Sequence, residues 1–189
     1  MAAKTTIYKI DLQLQVGGGG QAVSHPLVMA RHPSETDQRL ALRLLVFALC
    51  FHPDLAFGRG LSTPDEPVIW RKNLSGEVEL WVELGELDER RIRKARGRAR
   101  EVVLFCYGGQ KAEMWWGRQR KKLGSLKNLT VVNIPVEPLA EFAAMLDRNM
   151  TLACQIDDGA IQLVHDDLAV TIVPELWMGR LPAMAELAP

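Results

Sequence analysis

The chain has 189 residues with 23 basic and 23 acidic side chains, so its formal net charge is zero, and 48% of its residues are hydrophobic. This composition suits one compact domain over residues 1–189, and no apolar run approaches the roughly 20 residues that span a bilayer. The N-terminus lacks the long apolar centre of a signal peptide, so we expect a cytoplasmic protein that does not enter membranes, and we expect a monomer.

The chain opens with a predicted β-hairpin. The segment TTIYKIDLQLQV alternates between polar and apolar residues, GGGG forms a turn, and HPLVMARH is the returning strand. The first helix is predicted in SETDQRLALRLLVFALC, where Ser34 is a suitable N-cap and apolar residues recur at helical spacing. Glu35 would then lie in the first helical turn, where a carboxylate is electrostatically favoured.

Three strands are predicted near residues 55–61, 66–72 and 77–84. In the third, GEVELWVELG, the alternation of strand side chains places Glu79 and Glu83 on one face, with Trp81 between them, and apolar residues on the other face. Such a pair of acids is explained either by a polar outer face or by a metal site.

The second half of the chain alternates helices and strands. Asp88 caps a helix predicted to extend to about Arg100, EVVLFCYGG is a central strand, and KAEMWWGRQRKKLGSL and EPLAEFAAMLDRN are helices around the strand NLTVVNIP. A hairpin around Asp158-Gly159 follows. This order predicts a single-domain α/β fold, with one mixed sheet flanked by helices and with N- and C-terminal β-hairpins.

The cysteines and the basic runs have simple structural explanations. Cys50, Cys106 and Cys154 lie far apart in apolar segments without the spacing of a zinc site, so we predict buried hydrophobic side chains. The runs RRIRKARGRAR (90–100) and RQRKK (118–122) are solvated helix faces on the simpler interpretation, although they also permit phosphate contacts.

The first helix carries a second candidate group. Arg39 and Arg43 follow Glu35 at spacings of four and eight residues and share one stripe of the helix with it. This pattern is either a ladder of ion pairs on a solvated face or an acid set among phosphate-binding arginines, and the sequence modestly favours the ladder.

Several segments resemble the YaeQ family of bacterial proteins, in the same order and nearly end to end. They are IYK, ARHPSETDQRLALRLL, GLSTPDEPVIW, ELWVELGELDERRIRKA, YGG followed by WW, and MTLACQIDDGAIQL. The resemblance implies a single YaeQ-like domain with a compact, restriction-endonuclease-like variant of the PD-(D/E)XK nuclease fold, whose core is a helix, three strands, a helix and a strand.

The resemblance also implies site residues. By position, the acids of such nucleases correspond to Glu35, to Asp65 in a literal PD at 64–65, and to Glu79 or Glu83, with Asp65, Glu79 and Glu83 as ligands of Mg²⁺ or Mn²⁺. The lysine that should follow the third acid is absent, because Gly85 stands two residues after Glu83.

The nearest basic substitutes lie on the helix after Asp88. They are Lys94 and Arg91, and a helical wheel turns Lys94 away from the sheet and leaves Arg91 near its flank. Arg39, Arg43, Arg59 and Arg91 are the candidate nucleic-acid contacts.

Two functions remain open. The first is a metal-dependent phosphodiesterase acting on nucleic acid. The second is a non-catalytic module on the same fold that binds nucleic acid or a protein partner. The missing lysine favours the second function. The retained acids favour the first, since clustered carboxylates would repel a phosphate ligand unless a metal ion were bound between them.

Overall fold

The chain folds as a mixed α/β protein in the computed structural model, which describes residues 5–19, 22–60, 63 and 65–180. The helices are α1 (Asp37–Leu49), α2 (Glu89–Arg96), α3 (Gln110–Leu123) and α4 (Val136–Ala144). The strands are β1 (Thr6–Val16), β2 (Val23–Arg31), β3 (Leu55–Phe57), β4 (Ile69–Lys72), β5 (Val78–Leu84), β6 (Ala99–Cys106), β7 (Leu129–Asn133), β8 (Asn149–Asp157), β9 (Ala160–His165), β10 (Leu168–Ile172) and β11 (Glu175–Met178). None of the helices in this described part is long and apolar enough to cross a bilayer.

The strands form two sheets, so the prediction of one mixed sheet is wrong. One sheet has the order β10-β9-β8-β1-β2 and the other has the order β11-β7-β6-β5-β4-β3. The first arises because β1 pairs with β8 in parallel, which joins the two terminal hairpins. Period-two patterns identify strands but do not specify their distant partners, so the sequence could not show this pairing.

The chain divides into two compact units by its internal contacts. Among the described residues, the first unit contains 5–19, 22–49 and 137–173, and the second contains 50–60, 63, 65–136 and 174–180. The five-stranded sheet and α1 belong to the first unit. In this unit the ring of His25 on β2 stacks on Phe47 of α1, with centroids 5.7 Å apart, which fixes the helix against the edge strand.

Helix α1 begins later than predicted. The Thr36 hydroxyl accepts a hydrogen bond from the backbone N–H of Arg39 at 3.2 Å, as an N-cap does, whereas the Ser34 hydroxyl lies 2.6 Å from the ring of His32. Both residues are chemically suitable caps, but the Ser34 hydroxyl contacts His32 within the turn at 32–34, and Thr36 caps the helix. Glu35 therefore precedes the helix instead of lying in its first turn.

The second unit places parallel strands β5, β6 and β7 at the centre of the six-stranded sheet. Helix α2 connects β5 to β6, and α3 connects β6 to β7, as parallel pairing requires. Ile92 and Ala95 of α2 pack in one buried cluster with Trp81 of β5 and Leu104 of β6. This packing fixes the face that α2 turns toward the sheet.

Several local predictions are confirmed. Asp88 caps α2 by accepting the N–H of Arg91, and the closing hairpin turns at Asp158-Gly159. All three cysteines are buried and free of disulfides. Helix α2 ends at Arg96, earlier than predicted, because the chain turns at Gly97 and enters β6 at Ala99.

Candidate functional site

Glu83 is a buried acid held by two donors. Only 2% of its side chain is exposed. The Trp81 indole N–H donates to Glu83 Oε1 at 3.0 Å. Arg91 donates to both carboxylate oxygens, from Nε to Oε1 at 3.0 Å and from Nη2 to Oε2 at 3.2 Å. Such a two-pronged contact orients the guanidinium as well as neutralising the acid.

The Arg91 guanidinium also contacts the backbone before β4. Its Nη2 donates to the carbonyl oxygen of Glu66 at 3.3 Å. Three oxygen atoms from two separate segments, the Glu83 carboxylate and the Glu66 carbonyl, therefore converge on one cation. Carboxylate and carbonyl oxygens are also the donors that bind a hard metal ion. The guanidinium therefore occupies a position at which such an ion could bind.

Asp65 and Lys94 form a second acid–base pair beside the first. The Lys94 ammonium group binds the Asp65 carboxylate, and Arg98 donates to the Asp65 carbonyl oxygen at 3.3 Å. The hydrogen bond from Lys94 holds the pKa of Asp65 below its usual value, and the charges of Arg98 and Arg91 act in the same direction. In contrast to Glu83, Asp65 has a side chain that is 68% exposed.

Lys94 pairs with Asp65, although the helical wheel turns it away from the sheet. A helical wheel shows only which residues of α2 face the sheet. Asp65 lies in the loop before β4 and contacts α2 from its side. Arg91 and Lys94 are three residues apart and so share one side of α2. Four predicted residues are thus brought together: Asp65, Glu83, Arg91 and Lys94.

Glu79 does not share the face of Trp81 and Glu83, contrary to the alternation predicted for β5. The register between β4 and β5 shifts after the pair Arg71–Leu80, so that Lys72 pairs with Val78 and Glu79 is the extra residue of a β-bulge. The Glu79 carboxylate lies 3.0 Å from Nε of Arg71. Trp70 pairs with Trp81, so these two side chains lie on one face of the sheet. Arg71 follows Trp70 in β4 and therefore projects from the other face.

Gly85 explains why no lysine follows the third acid. Its φ is +91°, a conformation that side chains rarely adopt, and its N–H donates to the carbonyl oxygen of Phe105 at 2.8 Å. A lysine at this position would strain the turn that ends β5. The basic residues at this end of the unit come instead from α2.

Glu35, Arg39 and Arg43 form their own cluster in the first unit. Glu35 is 3% exposed, and its Oε1 lies 3.0 Å from Nε of Arg43 and 3.6 Å from Nε of Arg39. Burial lowers the pKa of Arg43, and the charge of Glu35 opposes that shift. The predicted ion-pair ladder therefore exists, but its acid is buried rather than solvated. A catalytic role for Glu35 and nucleic-acid contacts for the two arginines stay predictions.

Arg59 is likewise engaged by an acid. Its Nε donates to Oε1 of Glu66 at 2.7 Å, and its backbone N–H donates to Oε2 at 2.8 Å. These bonds hold the pKa of Glu66 below its usual value. Glu66 follows the PD dipeptide directly, but it was not among the site residues that the resemblance implied.

A three-carboxylate metal centre is not assembled in the described part of the chain. Within those residues, no three His, Cys, Asp or Glu side chains are arranged to hold a metal ion. Of the predicted ligands, Asp65 pairs with Lys94 of α2, Glu83 pairs with Arg91 of α2, and Glu79 lies with Arg71 on the other face of β5. Asp65 and Glu83 are therefore the acids that could hold an ion, with the Glu66 carbonyl as a further donor.

A cleft of about 550 Å³ adjoins Asp65. Its aromatic lining is Trp70 and Trp81, and its basic lining is Lys72, Arg98 and Arg100. Sequence reasoning missed Trp70 and Lys72, although their spacing of two residues on β4 predicts a shared face. Arg98 and Arg100 lie in the basic run that the sequence marked as a possible phosphate contact.

Comparison with known proteins identifies the family. The model of the YaeQ protein family matches residues 1–174. The chain belongs to the YaeQ family. It is 43% identical over 177 residues to YaeQ of Escherichia coli (strain K12), covering 94% of this chain and 98% of that protein. It is also 42% identical over 163 residues to YaeQ of Salmonella typhi, covering 86% and 90% of the two chains.

Solved structures of YaeQ proteins share the fold. The crystal structure of the YaeQ protein from Xanthomonas axonopodis pv. citri matches with a TM-score of 0.89 at 40% identity. The match covers 94% of this chain and 100% of the Xanthomonas chain. The structure from Pseudomonas syringae matches with a TM-score of 0.87 at 31% identity, covering 94% and 98%. The YaeQ resemblance seen in the sequence is thereby confirmed.

Proposed function

We propose that this YaeQ protein is a Mg²⁺- or Mn²⁺-dependent phosphodiesterase acting on nucleic acid, built on a compact variant of the PD-(D/E)XK fold. The observation that carries the proposal is the convergence of both Glu83 carboxylate oxygens and the Glu66 carbonyl on the Arg91 guanidinium. The pair of Asp65 and Lys94 lies beside this group on the same helix.

The donor chemistry fits a hard divalent ion. Carboxylate and carbonyl oxygens are the ligands that Mg²⁺ and Mn²⁺ prefer, and Arg91 already marks a position where such oxygens surround positive charge. Asp65 is exposed and is held by one lysine, so its carboxylate can turn toward an ion at low cost, because exposed ion pairs contribute little to stability.

Each of these residues would have its own role in phosphodiester cleavage. Glu83 and Asp65 would hold the ion, and Arg91 would move from the carboxylate toward the incoming phosphate. Lys94, released from Asp65, would bind a phosphate oxygen or the attacking hydroxide as a compact point charge. When bound, the ion supplies an activated water and neutralises the charge that builds on the phosphate.

The alternative is a binding module in which Arg91 fills the ion position permanently. The burial of Glu83 favours this alternative, since a guanidinium bonded to both oxygens of a buried acid resists displacement. Its ligand would be nucleic acid or a protein partner, and no chemistry would follow.

The experiment is a calorimetric Mn²⁺ titration of the wild type, Glu83→Gln and Arg91→Ala, combined with Mg²⁺-dependent cleavage assays on single-stranded and duplex DNA and RNA. The proposal expects Mn²⁺ binding to the wild type that is lost in Glu83→Gln, and cleavage that is lost in Glu83→Gln and in Asp65→Asn. Mn²⁺ binding by Arg91→Ala alone, without cleavage by the wild type, would overturn the proposal and show that Arg91 fills the ion position permanently.

A further inference from the structure

The cleft beside Asp65 combines aromatic rings with basic side chains. Trp70 is half-buried and meets the buried Trp81 at an interplanar angle of 86°, with centroids 6.4 Å apart. The Lys72 ammonium nitrogen lies 3.6 Å from the centroid of the Trp70 ring and covers one of its faces. Because Trp81 fixes the ring from the sheet side, Trp70 is a pre-oriented flat surface.

The charges of the cleft favour an anion. Its lining has three basic side chains, Lys72, Arg98 and Arg100, and two acids, Asp65 and Glu77. Both acids are already matched, Asp65 by Lys94 and Glu77 by Arg100 at 3.2 Å. Neither Lys72 nor Arg98 forms an ion pair with a carboxylate in the described part of the chain. Lys72 lies over the Trp70 ring and Arg98 donates to the Asp65 carbonyl oxygen at 3.3 Å, so neither cation has to leave a carboxylate to bind a phosphate.

We propose that this cleft binds one unpaired nucleotide of a nucleic-acid strand, with its base stacked on Trp70 and the adjoining phosphates held by Lys72, Arg98 and Arg100. The cleft volume of about 550 Å³ lies within the roughly 300–1,000 Å³ of sites that enclose small ligands. An unpaired base is required because a base inside a duplex already stacks on its neighbours and presents no free face.

The contact of Lys72 with the Trp70 ring is weak enough for a base to replace it. A cation over an aromatic ring at a solvent-accessible position contributes less to stability than a stacked base contributes to binding. A base that takes the place of Lys72 on Trp70 therefore gains more than is lost, and the displaced ammonium group gains a phosphate partner. The exposed pair of Arg100 and Glu77 can open at similarly low cost, since exposed ion pairs contribute little to stability.

This inference rests on the proposed function only in placing Asp65, which lines the cleft, next to the reacting phosphate. Strand binding itself needs no metal ion, so it can be measured in EDTA while cleavage is measured separately. Failure of one result therefore leaves the other intact.

The test is fluorescence anisotropy of a labelled 12-nucleotide oligothymidine in EDTA, with wild type, Trp70→Ala, Trp70→Phe and Arg98→Ala. Lys121→Ala is the matched charge control, because Lys121 is exposed on α3 and does not line the cleft. Trp70→Ala should weaken binding roughly 5- to 150-fold, as loss of one stacked base does, and Trp70→Phe should retain most of the affinity.

Arg98→Ala should lower the slope of log K against log salt by about 0.7, the value for one phosphate contact to a single strand, and Lys121→Ala should not. The same sequence in duplex form should bind more weakly. Equal affinity of Trp70→Ala and the wild type, or equal affinity for strand and duplex, would overturn the inference. Thermal unfolding of each variant verifies that the fold is retained.

Discussion

Replacing Arg91 by alanine is expected to destabilise the protein by about 2–4 kcal/mol, below the 3–5 kcal/mol of a fully buried pair because Arg91 is partly exposed. The cost arises because the Glu83 carboxylate, which is only 2% exposed, would lose the guanidinium that binds both its oxygens. The matched control is Arg93→Ala on the same helix. Arg93 is 71% exposed and pairs with Glu89 four residues away, so its loss should cost far less than the loss of Arg91.

The assay is urea unfolding followed by circular dichroism for both variants, without and with Mn²⁺. Adding Glu83→Gln to Arg91→Ala should recover part of the loss, because a neutral amide carries no buried charge. Mn²⁺ at 100 times its Kd should restore about 2.7 kcal/mol to Arg91→Ala if the ion takes the position of the guanidinium. Equal losses for Arg91→Ala and Arg93→Ala would refute the argument from the buried pair.

Three further outcomes are expected. Burial raises the pKa of Cys50, Cys106 and Cys154 to about 12, so none should react with a thiol reagent at pH 8 until the protein unfolds, and rapid labelling of the native state would contradict this. Lys94→Ala should raise the pKa of Asp65 in an NMR titration; because Lys94 lowers that folded-state pKa, the stability difference between wild type and variant should be present near neutral pH and vanish as pH falls through the pKa of Asp65. Thr36→Ala should cost about 1 kcal/mol in chemical unfolding as the loss of an N-cap, and a larger cost for Ser34→Ala would return the cap to Ser34.

The bulge at Glu79 and the pairing of Lys94 with Asp65 change how the acids of this chain should be tested. Glu79 belongs with Arg71 on the other face of β5, so Glu79→Ala is a suitable negative control for metal binding. Asp65 and Glu83 are the informative substitutions, because their cations come from one side of α2.

The sequence by itself determined the features that depend on neighbouring residues. Asp158 and Gly159 both have positive φ, of 46° and 78°, and an Asp-Gly pair between alternating segments predicts such a hairpin turn directly. Asp88 caps α2 for an equally local reason, since its side chain needs only the N–H of Arg91 three residues on. Glu83 was found from the alternation of its strand, whereas Asp65, Arg91 and Lys94 were found as candidates through the family resemblance.

Only the tertiary structure decided which of these residues meet. The parallel pairing of β1 with β8 joins segments more than a hundred residues apart, and no local pattern encodes such a partner. One extra residue in β5 moves Glu79 to the opposite face, although the alternation of its sequence is perfect. The loop that contains Asp65 lies beside α2, so Lys94 binds an acid that a helical wheel does not represent. Contacts of this kind depend on loop paths and strand register, which are selected by packing of the whole unit rather than by the residues at the site.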